Sequence, residues 1–164
     1  MVQRALIIDD DPHFLAVIEP MLARLGVASV SCAQTGAEGL ARIKAAPERY
    51  DLVLCDLQMP TMDGVNVVRR LSELGFGGAL GIVSSEPGEV IASVQRVAEM
   101  IGIRVVGGLA KPLREMALRD LLAAVPGSRP ARTFQPVSKA ELLEVLGVGR
   151  LVPVYQPQLD LGAR

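Results

Sequence analysis

Five short aliphatic runs, separated by longer segments of helical periodicity, limit most strongly what this chain can fold into. The runs are rich in Val, Ile, Leu and Ala. Near-continuous apolar runs of this length are typical of strands in a parallel sheet whose two faces are both covered. They span residues 5–8, 27–32, 52–55, 79–83 and 103–109.

The segments between the runs predict helices over 14–25, 37–45, 65–74, 90–101 and 113–125. Gly26, Gly75 and Gly102 follow three of these segments, where glycine commonly ends a helix. A strand–helix unit repeated in this way predicts an α/β fold, a doubly wound five-stranded parallel sheet. In such a fold, ligands bind beyond the carboxyl ends of the strands.

Composition excludes several classes of protein. The chain has 164 residues and cannot close a complete (β/α)₈ barrel, which needs about 250. Seventeen basic and eighteen acidic residues give a net charge of -1, so we expect no direct nucleic-acid binding.

The first apolar run is short and is followed directly by the acidic residues 9–11. A short run with acidic residues beside it resembles neither a signal peptide nor a membrane span. We expect a cytoplasmic protein that makes no membrane contact.

The chain divides into three parts. Residues 1–125 hold the strand–helix units, and 126–137 are predicted to be a linker because they are rich in Pro and lack an apolar period. Residues 138–164 begin with a short predicted helix, in which Ser138 and Glu141 have the spacing of a capping box.

Acidic residues end two of the predicted strands. Asp9 and Asp10 follow the first run and Asp56 follows the third. The first and third strands of a doubly wound sheet can be neighbours, which would bring these carboxylates into one pocket. Clustered carboxylates repel one another unless a cation is present, and Mg²⁺ prefers such oxygen ligands. A carboxylate beside Mg²⁺ can act as a nucleophile and form an aspartyl-phosphate.

The fourth and fifth runs end near Ser84 and Lys111, a hydroxyl and a cation that could neutralise a transferred phosphoryl group. Each of these residues has an ordinary explanation when taken alone. An Asp or Ser at a strand end can cap a helix, and Lys111 could be a surface lysine. Their joint occurrence at the strand ends favours a phosphoryl-transfer site.

Four segments resemble the motifs of response-regulator receiver domains, a flavodoxin-like family of two-component signalling. They are LIIDDDP (6–12), LVLCDLQMPTMDG (52–64), GIVSSE (81–86) and LAKPL (109–113). The resemblance implies that Asp56 accepts a phosphoryl group from a histidine kinase. It also implies Mg²⁺ bound directly by Asp10, Asp56 and the backbone carbonyl of Gln58, with Asp9 acting through water.

By the same resemblance, Ser84 binds a phosphoryl oxygen and reorients on activation, Lys111 pairs with the phosphoryl group, and the Lys111–Pro112 peptide bond is cis. Two features depart from the family. Gly108 stands three residues before Lys111, where receivers usually carry Tyr or Phe. The separation from Ser84 to Lys111 is also several residues longer than in typical receivers, which is expected to lengthen the fourth helix.

The alternative function is that of a pseudo-receiver, an interaction or dimerisation module that does not depend on phosphorylation. The missing aromatic at Gly108 is the main support for this alternative. The complete acidic set and Lys111 count against it. In either case the fourth helix and fifth strand are candidate faces for a homodimer.

The last residues, RLVPVYQPQLDLGAR, resemble the start of an EAL-type cyclic-di-GMP phosphodiesterase domain. The catalytic residues of that family would lie beyond Arg164, so residues 1–164 are not expected to be an enzyme in their own right. This resemblance implies that the partner of the receiver is its own C-terminal output domain. A structured tail of unrelated role is the alternative.

Overall fold

The computed structural model describes residues 2–60 and 62–126. Five strands alternate with five α-helices. The predicted linker from residue 127 onward, the short helix and the output-domain start over 138–164 lie outside the described residues. The elements are β1 (Arg4–Ile8), α1 (Pro12–Arg24), β2 (Ser29–Ala33), α2 (Gly36–Ala45), a 3₁₀ turn (Pro47–Arg49), β3 (Leu52–Cys55), α3 (Gly64–Glu73), β4 (Ala79–Ser84), α4 (Gly88–Met100), β5 (Arg104–Ala110) and α5 (Glu115–Ala124).

The strands form one parallel sheet in the order β2-β1-β3-β4-β5. Helices α1 and α5 pack on one face, and α2, α3 and α4 pack on the other. The predicted doubly wound five-stranded fold is therefore confirmed. Chain order reverses at β1, whose neighbours are β2 and β3, and this is the point where such sheets bind ligands.

The side chains of β1 show how the aliphatic runs produce two cores. Leu6 and Ile8 point to the face covered by α2, α3 and α4, whereas Ala5 and Ile7 point to α1 and α5. All four are at most 1% exposed. Because successive strand residues face opposite sides, a strand covered on both faces must be apolar throughout.

Most element boundaries differ from the prediction by one or two residues. Val27 is buried but precedes β2, because its backbone N–H donates to Leu22 O (3.1 Å) and so closes the end of α1. Helix α5 begins at Glu115 rather than at 113, because Arg114 has an extended backbone (φ -106°, ψ 133°). The short 3₁₀ turn was not predicted.

Strand β5 lies at the edge of the sheet and contains an irregularity. Leu80 pairs with Val105, but the next residue, Gly81, pairs with Gly107, so Val106 is an extra residue in β5. Gly107 has a φ of +149°, which glycine adopts without the strain that a side chain would cause. The bulge and the 13-residue helix α4 both lie between Ser84 and Lys111.

None of the helices within the described ranges could cross a bilayer. The longest have 13 residues, whereas a membrane-spanning helix needs about 20 apolar ones.

Candidate phosphoryl-transfer site

The two neighbouring strands β1 and β3 place Asp9 and Asp56 side by side at the carboxyl edge of the sheet. The backbone N–H of Asp9 donates to Ala33 O (3.1 Å), and that of Asp56 donates to Ile8 O (2.9 Å). Both residues therefore continue the hydrogen bonding of the sheet. Their positions are set by the rigid core and not by a free loop.

Asp10 completes a cluster of three carboxylates. One oxygen from each of Asp9, Asp10 and Asp56 lies within 4.8 Å of the others. Asp9 and Asp56 are 1% and 5% exposed, whereas Asp10 is open to solvent. The structure thus brings Asp56 to the adjacent pair Asp9 and Asp10, from which it is distant along the chain.

Lys111 enters this cluster from the end of β5. Its Nζ donates to Asp56 Oδ2 (2.7 Å) and lies 2.6 Å from Asp9 Oδ2. Its backbone N–H donates to Ser84 O (2.9 Å), and the Lys111–Pro112 peptide bond is cis, as the resemblance implies. The lysine therefore belongs to the site and is not an ordinary surface residue.

Burial and charge act against each other in this pocket. Burial raises the pKa of Asp9, although contacts with Lys111 and the Asp11 backbone N–H oppose the change. Burial also lowers the pKa of Lys111, but the close contacts with the Asp56 and Asp9 carboxylates outweigh burial, so the pKa of Lys111 is raised overall. Lys111 is accordingly charged at neutral pH.

The donor set fits a hard divalent cation. Asp9 Oδ2 is fully buried and, despite its proximity to Lys111 Nζ, accepts no hydrogen bond of good geometry within the described residues. The Lys111 ammonium, 2.6 Å away, balances only one of the three carboxylate charges, so the cluster keeps a net negative charge that a divalent cation would offset. Three carboxylates at this spacing offer the oxygen ligands that Mg²⁺ prefers.

The mouth of the pocket is bridged by residues from the β3–α3 and β4–α4 loops. The Gln58 N–H donates to Asp56 Oδ1 (3.1 Å) and so orients this carboxylate. The Gln58 side-chain amide donates to the carboxylate of Glu86. Glu86 N–H in turn donates to Ser84 Oγ (3.3 Å). Gln58 and Ser84 are therefore both linked to the site.

Ser84 is the last residue of β4 and is completely buried. Within the described residues its hydroxyl has no hydrogen bond to Asp56 or Lys111. Its role toward a phosphoryl group stays a prediction, as does the role of the Gln58 carbonyl as a metal ligand.

A glycine allows the β3–α3 loop to lie close to helix α3. A Cβ atom on Gly64 would overlap the backbone oxygen of Asp56 and lie 2.7 Å from Leu57 Cα. The Gly64 N–H donates to Leu57 O (3.0 Å). The backbone beside Asp56 is thus held against the first turn of α3, and only glycine fits there.

Two residues that contribute to the site were not predicted from the sequence. The sequence placed Phe14 at the start of the first predicted helix and gave it no role in the site, but the centroid of its ring lies 4.3 Å from Lys111 Nζ. Glu86 was not singled out, yet it bridges to Gln58. The sequence does hold a pattern that could have indicated Glu86. Glu86 stands two residues after Ser84 at the end of one strand, just as Gln58 stands two residues after Asp56 at the end of another. No sequence signal distinguishes Phe14 from a core residue.

A family profile described as the response regulator receiver domain matches residues 5–123. The chain belongs to this family. Receiver domains are parts of two-component response regulators, so the coarse function predicted from the motifs is shown. The two-component response regulator ARR11 of Arabidopsis thaliana is 30% identical over 117 residues, which cover 71% of this chain and 21% of that protein.

Two further relatives are similar to this receiver domain. The autoinducer 1 sensor kinase/phosphatase LuxN of Vibrio campbellii is 35% identical over 71% of this chain and 13% of its own length. The cyclic di-GMP phosphodiesterase RocR of Pseudomonas aeruginosa is 29% identical over 95% of this chain and 41% of its own length. The chain therefore spans less than half the length of these relatives.

Solved structures share the fold of the receiver domain. A response regulator from Colwellia psychrerythraea superimposes with a TM-score of 0.65 at 25% identity, covering 76% of this chain and 96% of that one. The chemotaxis protein CheY4 of Vibrio cholerae gives a TM-score of 0.64 at 23% identity, covering 77% of this chain and all of that one.

Proposed function

We propose that this receiver domain accepts a phosphoryl group on Asp56 from a histidine kinase, in a reaction that uses Mg²⁺. The observation that supports this most directly is the contact of Lys111 with both Asp56 and Asp9 inside the cluster of three acids. A structural ion pair needs one acid for one lysine, whereas a phosphoryl-transfer site needs spare carboxylates for a metal ion.

In the proposed reaction, a carboxylate oxygen of Asp56 attacks the phosphorus of the kinase phosphohistidine. The new P–O bond forms as the P–N bond breaks, and the electron pair of that bond leaves on the histidine nitrogen. Asp10, Asp56 and the Gln58 carbonyl would hold Mg²⁺ directly and Asp9 through water, and the ion would supply positive charge that offsets the charge of the transferring group.

The residues of the domain contribute mainly by position and charge. The Gln58 N–H orients the Asp56 carboxylate through Oδ1. The Lys111 ammonium already lies 2.7 Å from Asp56 Oδ2, where it can pair with a phosphoryl oxygen. The Ser84 hydroxyl can donate to a second phosphoryl oxygen after leaving Glu86 N. Effects of this kind supply most of the catalysis in phosphoryl transfer.

Intact mass spectrometry after incubation with acetyl phosphate tests the proposal. We expect one phosphoryl adduct on the wild type that requires Mg²⁺ and is absent from Asp56→Asn. Asp63→Asn is a matched control because Asp63 is an exposed N-cap of α3, a position where Asn caps a helix equally well. This control should still be phosphorylated.

A folded wild type that forms no adduct with any phosphodonor would contradict phosphoacceptance and favour the pseudo-receiver. An adduct that persists in Asp56→Asn would instead assign the acceptor to another residue.

We further propose that this receiver regulates an EAL-type cyclic-di-GMP phosphodiesterase domain in a longer chain. The support is the similarity to RocR over 95% of this chain, together with the sequence of residues 150–164. The test is cyclic-di-GMP hydrolysis by the complete protein with and without phosphodonor. A difference that disappears in Asp56→Asn is expected. No hydrolysis by the folded complete protein in either state would contradict this output.

A homodimer through α4 and β5 also stays a prediction. The outer side of α4 carries exposed apolar residues, with Val97 46% and Met100 85% exposed. Light scattering of the isolated domain over a range of concentrations measures its oligomeric state directly.

A further inference from the structure

The Lys111 ammonium touches an aromatic ring as well as two carboxylates. Phe14 is the third residue of α1, and the centroid of its ring lies 4.3 Å from Lys111 Nζ. We propose that Phe14 is a positioning residue that holds the Lys111 ammonium beside Asp56. This inference rests on the proposed function of Asp56 as phosphoacceptor.

The physical basis is the attraction between a cation and the face of an aromatic ring. The ring face carries partial negative charge and attracts an ammonium within about 6 Å of its centroid. The attraction is stronger where water is excluded, and the Lys111 side chain is only 15% exposed. A lysine side chain has four flexible carbon atoms, so a third contact limits the positions that its ammonium can take.

Phosphorylation of Asp56 affects the three contacts of Lys111 differently. Phosphorylation would convert Asp56 from a free carboxylate to an acyl phosphate, and a cation held by the acids would weaken the attraction between Lys111 and Asp9. The Phe14 ring neither reacts nor titrates. Phe14 therefore retains the ammonium at the site while its two acidic partners change, and Lys111 stays within reach of the phosphoryl oxygens.

A plain packing role makes a different prediction. The core positions of α1 are Leu15, Ile18 and Leu22, all buried, whereas Phe14 is only half-buried at the edge of that core. Leucine could fill this edge position about as well as phenylalanine. If packing were the whole role of Phe14, Phe14→Leu would leave Lys111 and phosphoryl transfer unchanged.

The first test is the NMR spectrum of the unphosphorylated domain. Protons above a ring face are shifted to lower frequency, so we expect the ε-methylene protons of Lys111 to be shifted in the wild type and in Phe14→Tyr. They should return to ordinary values in Phe14→Leu. Unshifted Lys111 protons in the wild type would overturn the inference, whatever the behaviour of any variant. This arm does not depend on phosphorylation, so it remains decisive if Asp56 accepts no phosphoryl group.

The second test is the rate of phosphorylation by acetyl phosphate. Phe14→Leu should be slower by about 3- to 30-fold, and Phe14→Tyr should keep a rate close to that of the wild type. Met21→Leu is the matched control, because Met21 is a half-buried residue of α1 in the same core. A wild-type rate in Phe14→Leu, or an equal loss in Met21→Leu, would overturn the inference.

Discussion

The side chain of Ile91 occupies the space into which a side chain on Gly108 would point. A Cβ atom on Gly108 would overlap Ile91 Cγ2 and lie 2.9 Å from Gln95 Nε2. Helix α4, which carries Ile91 and Gln95, therefore lies directly against the glycine backbone of β5. Helix α4 thus fills the space beside Gly108, the position at which the resemblance to receivers implies an aromatic side chain.

Gly108→Ala should destabilise the domain. The added methyl group must displace Ile91, which is 5% exposed and packed in the core, and overpacking of this kind costs about 1–3 kcal/mol. The same substitution in an Ile91→Ala background should cost much less, because the overlapping methyl group is gone. Urea unfolding of the four proteins measures this coupling. Equal costs in both backgrounds would show that Ile91 does not fill this space.

Gly64→Ala should be destabilising and should disturb the loop beside Asp56. Its Cβ would overlap the Asp56 backbone oxygen, and backbone atoms cannot move aside as a side chain can. We expect a loss of about 1–3 kcal/mol in the free energy of unfolding. We also expect slower phosphorylation by acetyl phosphate.

Gly88→Ala is the matched control for Gly64→Ala. Both glycines are the first residue of a helix, but a Cβ on Gly88 would meet nothing within 4 Å. The Gly88→Ala variant should be as stable as the wild type or slightly more stable, since alanine loses less backbone conformational entropy on folding than glycine does. Similar losses in both variants would refute the close-contact explanation.

Much of the fold could be predicted because it depends on periodicity. The apolar runs are continuous where both faces of a strand are covered, as in β1 and β3, and those strands were placed to within one residue. Prediction failed where apolar residues serve another purpose. Val27 closes the end of α1 instead of pairing in β2, and no local pattern separates these two uses of a buried valine.

The candidate site was predictable in outline because each acid and Lys111 stands at a strand end, and parallel strands bring such ends together. The contact of Phe14 with Lys111 joins residues from α1 and the end of β5, and the filling of the Gly108 position joins β5 to α4. Both contacts depend on how the helices pack against the sheet. Sequence spacing within one element carries no information about that.

Mg²⁺ should stabilise the domain if the three acids bind it. A ligand that binds only the folded state at ten times its dissociation constant adds about 1.4 kcal/mol to the free energy of unfolding. We expect the melting temperature to rise with Mg²⁺ in the wild type. The rise should be smaller in Asp10→Asn, which removes the exposed acid of the cluster. Sodium chloride of equal ionic strength controls for screening, and an equal rise with either salt would count against a specific site.

Asp9→Asn should stabilise the domain at neutral pH in the absence of divalent cations. Burial raises the pKa of Asp9 in the folded state above the ordinary value of an aspartate, so the folded state binds the proton more tightly than the unfolded state does. Above the folded pKa, the ionised Asp9 therefore costs stability, and asparagine has no such cost. As the pH falls through the folded-state pKa toward the lower pKa of the unfolded state, wild-type Asp9 becomes protonated and the advantage of the variant should disappear.

Urea unfolding in EDTA at a series of pH values measures this advantage. Asp63→Asn serves as the control because its side chain caps α3 at the surface, and it should change stability by less than about 0.5 kcal/mol at neutral pH. An Asp9→Asn variant less stable than the wild type at neutral pH would mean that the ion pair with Lys111 outweighs burial. Added Mg²⁺ should reverse the order, because the wild type offers the cation three carboxylates and Asp9→Asn offers only two.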